Sequence, residues 1–283
     1  MKYYIVDAFA QKPFGGNPAG VVLLEKNESF PEDKTMIKIA AELRYSETAF
    51  VQQNGPAEFT IRYFTPAAEV DLCGHATIAS FSVLMEEGIT EKGTICTNHT
   101  LAGDLQIVTG DKIMMEMAKP ETIATVTDIE RLHKIMFQNH KSQQTTLPVQ
   151  VISTGLPDII MPVANLDELE AINPDMAALS LLSKEMNVVG VHVFALSKDG
   201  YTAHVRNFAP LYDIPEESAT GTANAALTYY LYKQDIITSG TYCSFMQGES
   251  MERPSVIETE LKPEGTVFVG GNGYILAKGT MFI

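Results

Sequence analysis

The chain has 283 residues, and its apolar content of 45% is sufficient for two domains that each bury a core of their own. Its 20 basic and 35 acidic residues give a formal charge of −15, which argues against nucleic acid or an anionic membrane as a partner. Its three cysteines have no metal-type CxxC spacing, and no signal peptide or membrane-length apolar run is visible, so we expect a cytoplasmic protein without a metal.

The first half reads as a series of strands interrupted by two helices. Strands are predicted at residues 2–9, 19–24, 48–52, 59–64, 94–97, 105–108 and 112–117. Ser29 followed by Pro31 predicts a helix start, and the apolar face of that helix is formed by Met36, Ile37, Ala40 and Leu43. A second helix is predicted after Gly74, and because this stretch is apolar on every face we expect it to be buried all round.

The second half has a similar alternation and ends with one strand more than the first. A helix at 128–138 and a polar connection at 139–146 precede Asn173-Pro-Asp175, which predicts the start of a helix over 176–186. A second helix that is apolar nearly all round follows Gly221, and strands are predicted at 191–196, 201–208, 241–246, 255–260, 266–269 and 274–277. We therefore expect a first half at 1–120, a connecting helix and linker at 121–148 and a second half at 149–283, whose last strand returns to the first half.

Short sequences recur at nearly constant offsets and predict an internal duplication. Ile61–Pro66 resembles Val205–Pro210 at an offset of 144 residues, and Phe50 and Phe194 are separated by the same number. Gly74 and Gly221 are 147 residues apart, and Gly16-Asn-Pro18 and Gly155-Leu-Pro157 are 139 apart. Such a period indicates two copies of one unit. We predict an α+β fold of two similar halves, each a curled, mostly antiparallel sheet or barrel around its buried helix, with the amino ends of the two helices facing each other.

Three residues of the first half could perform chemistry. Glu47 lies at the entry to a strand, where an acid is usually solvated, but a carboxyl group in a closed site can act as a general acid or base. His75 lies in the first turn of the buried helix, either as a core or capping residue or as a neutral proton shuttle. Cys73 is either a small apolar side chain or a thiolate, and its repeat partner Thr220 cannot act as a thiol base.

The second half offers acids and a hydroxyl group before and within its buried helix. Asp213, Glu216 and Glu217 could merely favour the helix dipole, whereas Glu217 could also bind a polar group of a substrate. Thr222 is the repeat partner of His75, and its hydroxyl could cap the helix or bind a ligand. There is no Walker-type loop and no dinucleotide fingerprint, so the sequence implies no nucleotide cofactor.

Seven motifs together resemble the phenazine-biosynthesis PhzF family, in the family's order and over nearly the whole chain. The motifs are Phe14-Gly-Gly-Asn-Pro-Ala-Gly-Val21, Ser46-Glu-Thr-Ala-Phe50, Arg62-Tyr-Phe-Thr-Pro66 with Glu69, Leu72-Cys-Gly-His-Ala-Thr77, Arg206-Asn-Phe-Ala-Pro210, Glu217-Ser-Ala-Thr-Gly-Thr-Ala223 and Gln247-Gly-x-x-Met-x-Arg-Pro-Ser255. The resemblance implies a diaminopimelate-epimerase-like fold and a cofactor-free isomerase, with homodimers common among its members.

The resemblance also implies roles for individual residues. Glu47 would carry a proton within the substrate, and His75 and Glu217 would complete the catalytic group. Substrate would be bound by Asn17, Gly74, His75, Gly221 and Thr222, with helix N–H groups holding a carboxylate. The family more often has Asp at position 217 and Ser at position 222, and both departures narrow the pocket, which argues against the phenazine precursor as the substrate.

Three functional hypotheses follow from these residues. The first is an isomerase that moves a proton within a small carboxylate-bearing substrate by general acid–base catalysis through Glu47. The second is an amino-acid racemase or epimerase that uses Cys73 as one base. The third is a non-catalytic, anion-binding protein on the same fold, since a fold does not guarantee an activity.

Overall fold

The computed structural model of the chain describes residues 1–26, 28–138, 143 and 145–283. The chain forms two compact units. The first consists of residues 1–116 together with 270–283, and the second consists of residues 117–269. The polar connection predicted at 139–146 lies for the most part outside the described residues. None of the helices in the described ranges has both the length and the apolarity required to span a bilayer.

Strands dominate both units. Up to residue 116 the elements are β1 (Lys2–Ala8), β2 (Asn17–Leu23), α1 (Asp33–Leu43), β3 (Thr48–Gly55), β4 (Glu58–Phe64), β5 (Glu69–Val70), α2 (Gly74–Glu86), β6 (Ile95–Thr100), β7 (Gly103–Thr109) and β8 (Ile113–Glu116). They continue as β9 (Glu121–Thr125), α3 (Ile129–Phe137), β10 (Gln150–Ser153), β11 (Pro157–Pro162), α4 (Leu166–Glu170), α5 (Met176–Met186), β12 (Val191–Leu196), β13 (Ala203–Ala209), β14 (Ile214–Glu217), α6 (Gly221–Lys233), β15 (Tyr242–Gln247), β16 (Ser255–Leu261), β17 (Val267–Gly271) and β18 (Gly273–Thr280).

The sheet of the first unit is mostly antiparallel and curls around α2. β18 pairs with β1, and β1 pairs with β2, both in antiparallel fashion. β2 pairs with β3 and β4 with β6 in parallel, whereas β3–β4, β6–β7 and β7–β8 are antiparallel. Strands from both ends of this order, β18 and β8, contact α2. The sheet therefore wraps around the helix.

The second unit repeats this order of pairings. β9–β10 and β10–β11 are antiparallel, β11–β12 is parallel, β12–β13 is antiparallel, β13–β15 is parallel and β15–β16 is antiparallel. α6 packs against β10, β11 and β16. The predicted α+β class, with two similar halves of mostly antiparallel strands around a buried helix, is therefore confirmed.

The two central helices are buried because they carry hardly any charged residue. Ile78, Phe81, Val83 and Leu84 of α2 are fully buried, and each such side chain contributes about 2 kcal/mol of gross hydrophobic free energy. The hydroxyl groups inside α2 are satisfied within the helix itself, since Thr77 Oγ1 donates to the Cys73 carbonyl at 2.8 Å. The all-apolar pattern thus predicts both helices correctly.

The sequence suggests that β3 and its equivalent in the second unit, β12, are offset by 144 residues, but the structure gives a different offset. The Leu24 amide donates to the Val51 carbonyl, and in the second unit the Val163 amide donates to the Phe194 carbonyl. Phe194 is therefore equivalent to Val51, at an offset of 143, and the predicted equivalence of Phe50 and Phe194 is wrong. Phe50 packs against the α1 side of the sheet, whereas Phe194 packs against α6.

Two helix starts show when a capping pattern succeeds. α5 begins at Met176 as predicted, because the Asp175 side chain accepts a hydrogen bond from the Ala178 amide at 3.1 Å. The predicted cap Ser29 is wrong, since α1 begins only at Asp33. Phe30 explains the delay: it packs against the core cluster beside β3, beneath the guanidinium group of Arg62.

Candidate active site

Glu47, Cys73 and His75 meet in the first unit although they come from two separate segments. Glu47 directly precedes β3, and its carbonyl accepts a hydrogen bond from the Gly20 amide at 3.2 Å. Cys73 caps α2 with an extended backbone, and His75 lies in the first turn of that helix. Oε2 of Glu47 is 3.2 Å from Nε2 of His75, and Sγ of Cys73 is 3.4 Å from Nδ1 of the same ring. Parallel pairing of β2 and β3 next to α2 creates this cluster.

The imidazole of His75 is held from several sides. Nδ2 of Asn17, at the start of β2, lies 3.3 Å from Nδ1, and Oγ of Ser46 lies 3.5 Å from Nε2. Asn17 and His75 are both buried. The Glu47 carboxylate is close enough for an ion pair with His75 but is poorly aligned for an N–H···O hydrogen bond. The ring is therefore fixed in place while one carboxylate oxygen stays without a hydrogen bond.

Burial and the ion pair have opposite effects on the acidity of this cluster. Burial raises the pKa of Glu47, but the close contact with the His75 ring and its positive charge outweigh this effect, so the pKa of Glu47 lies below its usual value. Burial disfavours the imidazolium form, yet the neighbouring Cys73 sulfur and Glu47 carboxylate raise the pKa of His75 well above 6.5. The neutral imidazole expected from the helix dipole alone is therefore overridden by the adjacent carboxylate.

Cys73 does not have the environment of an activated thiol. Burial, followed by the charge of Glu47, raises the pKa of Cys73 to about 11. A thiol with such a pKa is a weak nucleophile and a weak base near neutral pH. Glu47, in contrast, is present as the carboxylate, the form that can accept a proton from carbon.

In the second unit, a glutamine organises the amino end of α6. The amide nitrogen of Gln247 donates to the Glu217 carbonyl at 2.7 Å and to Oγ1 of Thr220 at 3.0 Å. Its amide oxygen accepts from the Thr220 amide at 3.1 Å and from Nδ2 of Asn224 at 2.9 Å. Thr220 Oγ1 in turn donates to the Glu217 carboxylate at 2.5 Å. The segment that carries Glu217 is thus tied to the first turn of α6.

Gly221 and Thr222 form the first turn of α6, and Gly221 is buried. The Thr222 carbonyl accepts a hydrogen bond from Thr154 Oγ1 at 2.9 Å, which connects the helix to the turn after β10. Thr220 and Cys73 cap their helices with similar backbone angles, at φ −127° and −140° respectively. The predicted pairing of Thr222 with His75 therefore matches the order of residues in the two helices.

Asp158 is a titratable residue that the sequence analysis did not select. It lies on β11, is 1% exposed, and its Oδ1 atom has no hydrogen-bond partner among the described residues. Burial, and next the negative charge of Glu217, raise the pKa of Asp158 to about 7, against a hydrogen bond from the Gly190 amide that lowers it. The sequence signal that could have identified Asp158 is a single acid inside an otherwise apolar strand.

The predicted site residues thus fall into two groups. Glu47, His75, Asn17 and Gly74 lie in the first unit, where His75 contacts both Glu47 and Asn17. Glu217, Gly221 and Thr222 lie in the second unit around the amino end of α6. The side chains of Glu47, Cys73 and His75 also supply three atoms within 4.8 Å of one another that could bind a metal.

Comparison with known proteins identifies the family of the chain. The family model of PhzC-PhzF, phenazine biosynthesis-like protein, matches residues 6–279. An uncharacterized isomerase of Clostridium acetobutylicum is 32% identical over 299 residues, covering 99% of this chain and 97% of the relative.

Solved structures extend the similarity to the fold. The crystal structure of a phenazine biosynthesis protein of the PhzF family from Bacillus anthracis matches with a TM-score of 0.88 at 27% identity, covering 100% of this chain and 99% of that chain. A probable proline racemase from Agrobacterium radiobacter matches with a TM-score of 0.64 at 14% identity, covering 100% of this chain and 93% of that one. This second similarity shows a shared fold alone.

Proposed function

Because this chain belongs to the phenazine biosynthesis-like (PhzC-PhzF) family of isomerases, we propose that it moves a proton within a small carboxylate-bearing substrate, with Glu47 as the general acid–base. The observation that carries the proposal is the buried contact of Glu47 with His75 at 3.2 Å. A carboxylate in such a site can remove a proton from one carbon and return it to another.

The neighbours of Glu47 support this role. His75 holds the carboxylate ionised before the reaction and can stabilise the negative charge that develops on the substrate. Asn17 contacts the other side of the ring and keeps it oriented. His75 therefore acts beside Glu47, and we assign it as the second catalytic residue of the first unit.

The remaining predicted residues are proposed as binding groups. The amino ends of α2, at Gly74 and His75, and of α6, at Gly221 and Thr222, favour an anionic group such as a carboxylate. Glu217 would bind a polar or cationic group of the substrate, with its position fixed by Thr220. We propose further that the enzyme needs no cofactor, is cytoplasmic and forms a homodimer.

A deuterium-uptake screen tests the proposal. Small unsaturated and amino carboxylates are incubated with the protein in heavy water, and exchange at carbon is followed by mass spectrometry. On a compound that exchanges, Glu47→Gln is expected to lower turnover by about 100-fold or more, because the amide cannot carry the proton. Glu42→Gln, an exposed acid on α1, is the matched control and should react like the wild type. Turnover of Glu47→Gln close to that of the wild type would reject the proposed role.

A further inference from the structure

The Glu47, Cys73 and His75 cluster has the composition and spacing of a metal site. A carboxylate, a thiol and an imidazole are the three side-chain types that bind zinc in proteins. Ligand atoms around a tetrahedral zinc ion lie about 3.3 to 3.6 Å apart, given the usual bond lengths. Nε2 of His75 lies 3.2 Å from Oε2 of Glu47 and 3.8 Å from Sγ of Cys73. These two separations are within a few tenths of an ångström of the tetrahedral values, and all three ligand atoms lie within 4.8 Å of one another.

The surroundings of the cluster supply the outer support that zinc ligands usually have. A histidine that binds a metal through one ring nitrogen commonly uses the other for a polar partner, which fixes its orientation. Nδ1 of His75 faces the side-chain amide of Asn17 at 3.3 Å. Oε2 of Glu47 is a buried atom with no hydrogen-bond donor among the described residues. With Nε2 bound to the ion, Nδ1 of His75 carries the ring proton, and Asn17 accepts that proton once its amide is turned to present Oδ1.

We propose that Glu47, Cys73 and His75 bind a zinc ion and that the bound ion inhibits the enzyme. Oε2, Sγ and Nε2 supply three ligands, and the fourth position stays open to water or an anion. The carboxylate that coordinates the ion can no longer accept a proton from carbon. The inhibitory part rests on the proposed function of Glu47, whereas the binding part does not.

Charge balance explains why a buried site can accept the ion. Cys73 binds as the thiolate, His75 binds as the neutral imidazole and Glu47 binds as the carboxylate, so the thiol proton and the imidazolium proton both leave to the solvent. Two negative ligands and Zn²⁺ sum to zero, so the buried group carries no net charge. Hard cations such as Mg²⁺ prefer sites made of oxygen atoms alone, and this cluster offers only one oxygen ligand.

The other cysteines provide matched controls. Cys96 and Cys243 are also free and buried. Cys96 contacts the hydroxyl group of Thr90 at 3.5 Å, and burial raises the pKa of Cys243 against the hydrogen bonds of Thr202 and Thr259, which lower it. Neither thiol belongs to a group of potential metal ligands among the described residues. Replacement of either cysteine by serine therefore tests whether the loss of any thiol, rather than that of Cys73, changes metal binding.

The binding experiment uses the full-length, chelator-treated protein and Co²⁺ as a spectroscopic probe for zinc. The wild type, Cys96→Ser and Cys243→Ser are expected to develop a thiolate-to-cobalt charge-transfer band, which one equivalent of Zn²⁺ abolishes and Mg²⁺ leaves unchanged. Cys73→Ser should lack the band and bind Zn²⁺ at least about 100-fold more weakly, since even loss of an outer partner costs about 10- to 100-fold. A missing band in the wild type, or a band that persists in Cys73→Ser, overturns the proposal.

Two further measurements separate the outcomes. Glu47→Gln, checked for folding by circular dichroism, should keep the thiolate band but require more Co²⁺ to reach it; an unchanged affinity would remove Glu47 from the site. In the exchange assay, Zn²⁺ should inhibit the wild type and excess chelator should restore activity. Binding without inhibition would contradict the proposed role of Glu47 while leaving the metal site intact, and absence of binding would reject the metal site alone.

Discussion

The amino ends of α2 and α6 share a backbone conformation and carry different chemistry. Position 73 of the first unit is a cysteine and position 75 a histidine, whereas their counterparts Thr220 and Thr222 are hydroxyl residues. The third member of the cluster, Glu47, corresponds to Gly190. The Gly20 amide donates to the Glu47 carbonyl, and the equivalent amide of the second unit, that of Ile159, donates to the Gly190 carbonyl. Every titratable residue of the first cluster is therefore replaced by a non-titratable one.

The replacement at Gly190 is enforced by packing. A Cβ atom at this residue would lie 1.8 Å from the Phe208 carbonyl oxygen and 2.9 Å from Cδ of Pro210. No side chain fits such a space without moving the end of β13. The second unit therefore cannot carry an acid at the position that Glu47 occupies in the first.

This difference favours a mechanism with one base over one with two equivalent bases. A two-thiol racemase needs a cysteine in both halves, and Thr220 cannot serve as the second. The second unit instead has its acids elsewhere, with Asp158 on β11 and Glu217 before α6. By the repeat, Asp158 corresponds to Ala19 in the first unit. The proposed proton carrier of the first unit thus has no equivalent in the second unit.

The largest stability change is expected for Asp158→Asn, which removes an acid that has no counterpart in the first unit. In the unfolded chain this carboxyl loses its proton near pH 3.8, whereas in the fold its pKa is about 7. Stability should therefore fall as the pH rises from about 4 to 7, and the penalty is complete above 7. At pH 8 the variant should be more stable than the wild type by up to about 4 kcal/mol, as measured by urea unfolding.

Near pH 3 the two proteins should unfold alike, because Asp158 is then mostly neutral in both the folded and the unfolded chain. Glu217→Gln serves as the control for the cause of the shift. Removal of this negative charge should move the pH-dependent loss of stability to lower pH. A wild type whose stability is the same as that of Asp158→Asn from pH 4 to 8 would contradict the assignment.

A smaller change in stability is expected for the truncation of two arginines that occupy equivalent positions in the two units. Arg62 forms a bidentate ion pair with Glu69 and stacks on Phe64, and Arg206 does the same with Glu216 and Phe208. Arg206 donates in addition to two backbone carbonyls at the end of α4, at 2.9 and 3.1 Å, whereas the additional partner of Arg62 is an exposed aspartate.

Truncation should therefore cost more in the second unit. Arg206→Ala leaves a partly buried carboxylate and two carbonyls without their donor, and we expect a loss of about 3 kcal/mol. Arg62→Ala leaves the partly buried Glu69 carboxylate and an exposed aspartate without this donor, but no backbone carbonyl, and should cost about 1 to 2 kcal/mol. The urea midpoints of the two variants give the comparison, and equal losses would show that the carbonyl contacts contribute nothing.

The smallest effect concerns His204, which contacts two acids, whereas its repeat counterpart Thr60 accepts a hydrogen bond from Asn54. Nε2 of His204 lies 2.9 Å from Asp199, and Nδ1 lies 2.5 Å from Glu249. Burial lowers the pKa of His204, but the two carboxylates outweigh it and raise the pKa above 6.5. The stabilisation is thus present below pH 6.5 and is lost as the pH rises through the raised pKa.

His204→Gln should remove this pH dependence. Because the pair of acids is half exposed, we expect the difference between wild type and variant at pH 6 to stay below about 1 kcal/mol. Thermal unfolding at pH 6 and pH 9 measures it. A variant that is destabilised equally at both pH values would assign the effect to packing against Tyr201 rather than to charge.

How far the sequence predicts this molecule depends on whether the signal is local. The helices α2 and α6 follow from their all-apolar composition, and α5 follows from its capping aspartate. The contact between Glu47 and His75 has no local signal, because it depends on the pairing of β2 with β3. Only the resemblance to the PhzF family selected these two residues together.

Non-local causes also explain what the sequence missed. The equivalence of Phe50 and Phe194 failed because one residue fewer separates β3 from its repeat, which moves each side chain to the other face of the sheet. Asp158 is a lone acid at the start of an apolar strand, but its raised pKa depends on burial and on Glu217, which is distant along the chain. Neither feature can be read from a window of neighbouring residues.

The turnover of Glu47→Gln and Cys73→Ser on one exchanging substrate, measured side by side with metal chelated, tests the assignment of the proton carrier most directly. The account predicts that the glutamine variant loses about 100-fold or more, while the serine variant stays within about tenfold of the wild type. The reverse ranking, with the serine variant inactive and the glutamine variant active, would contradict it and assign the reaction to the thiol.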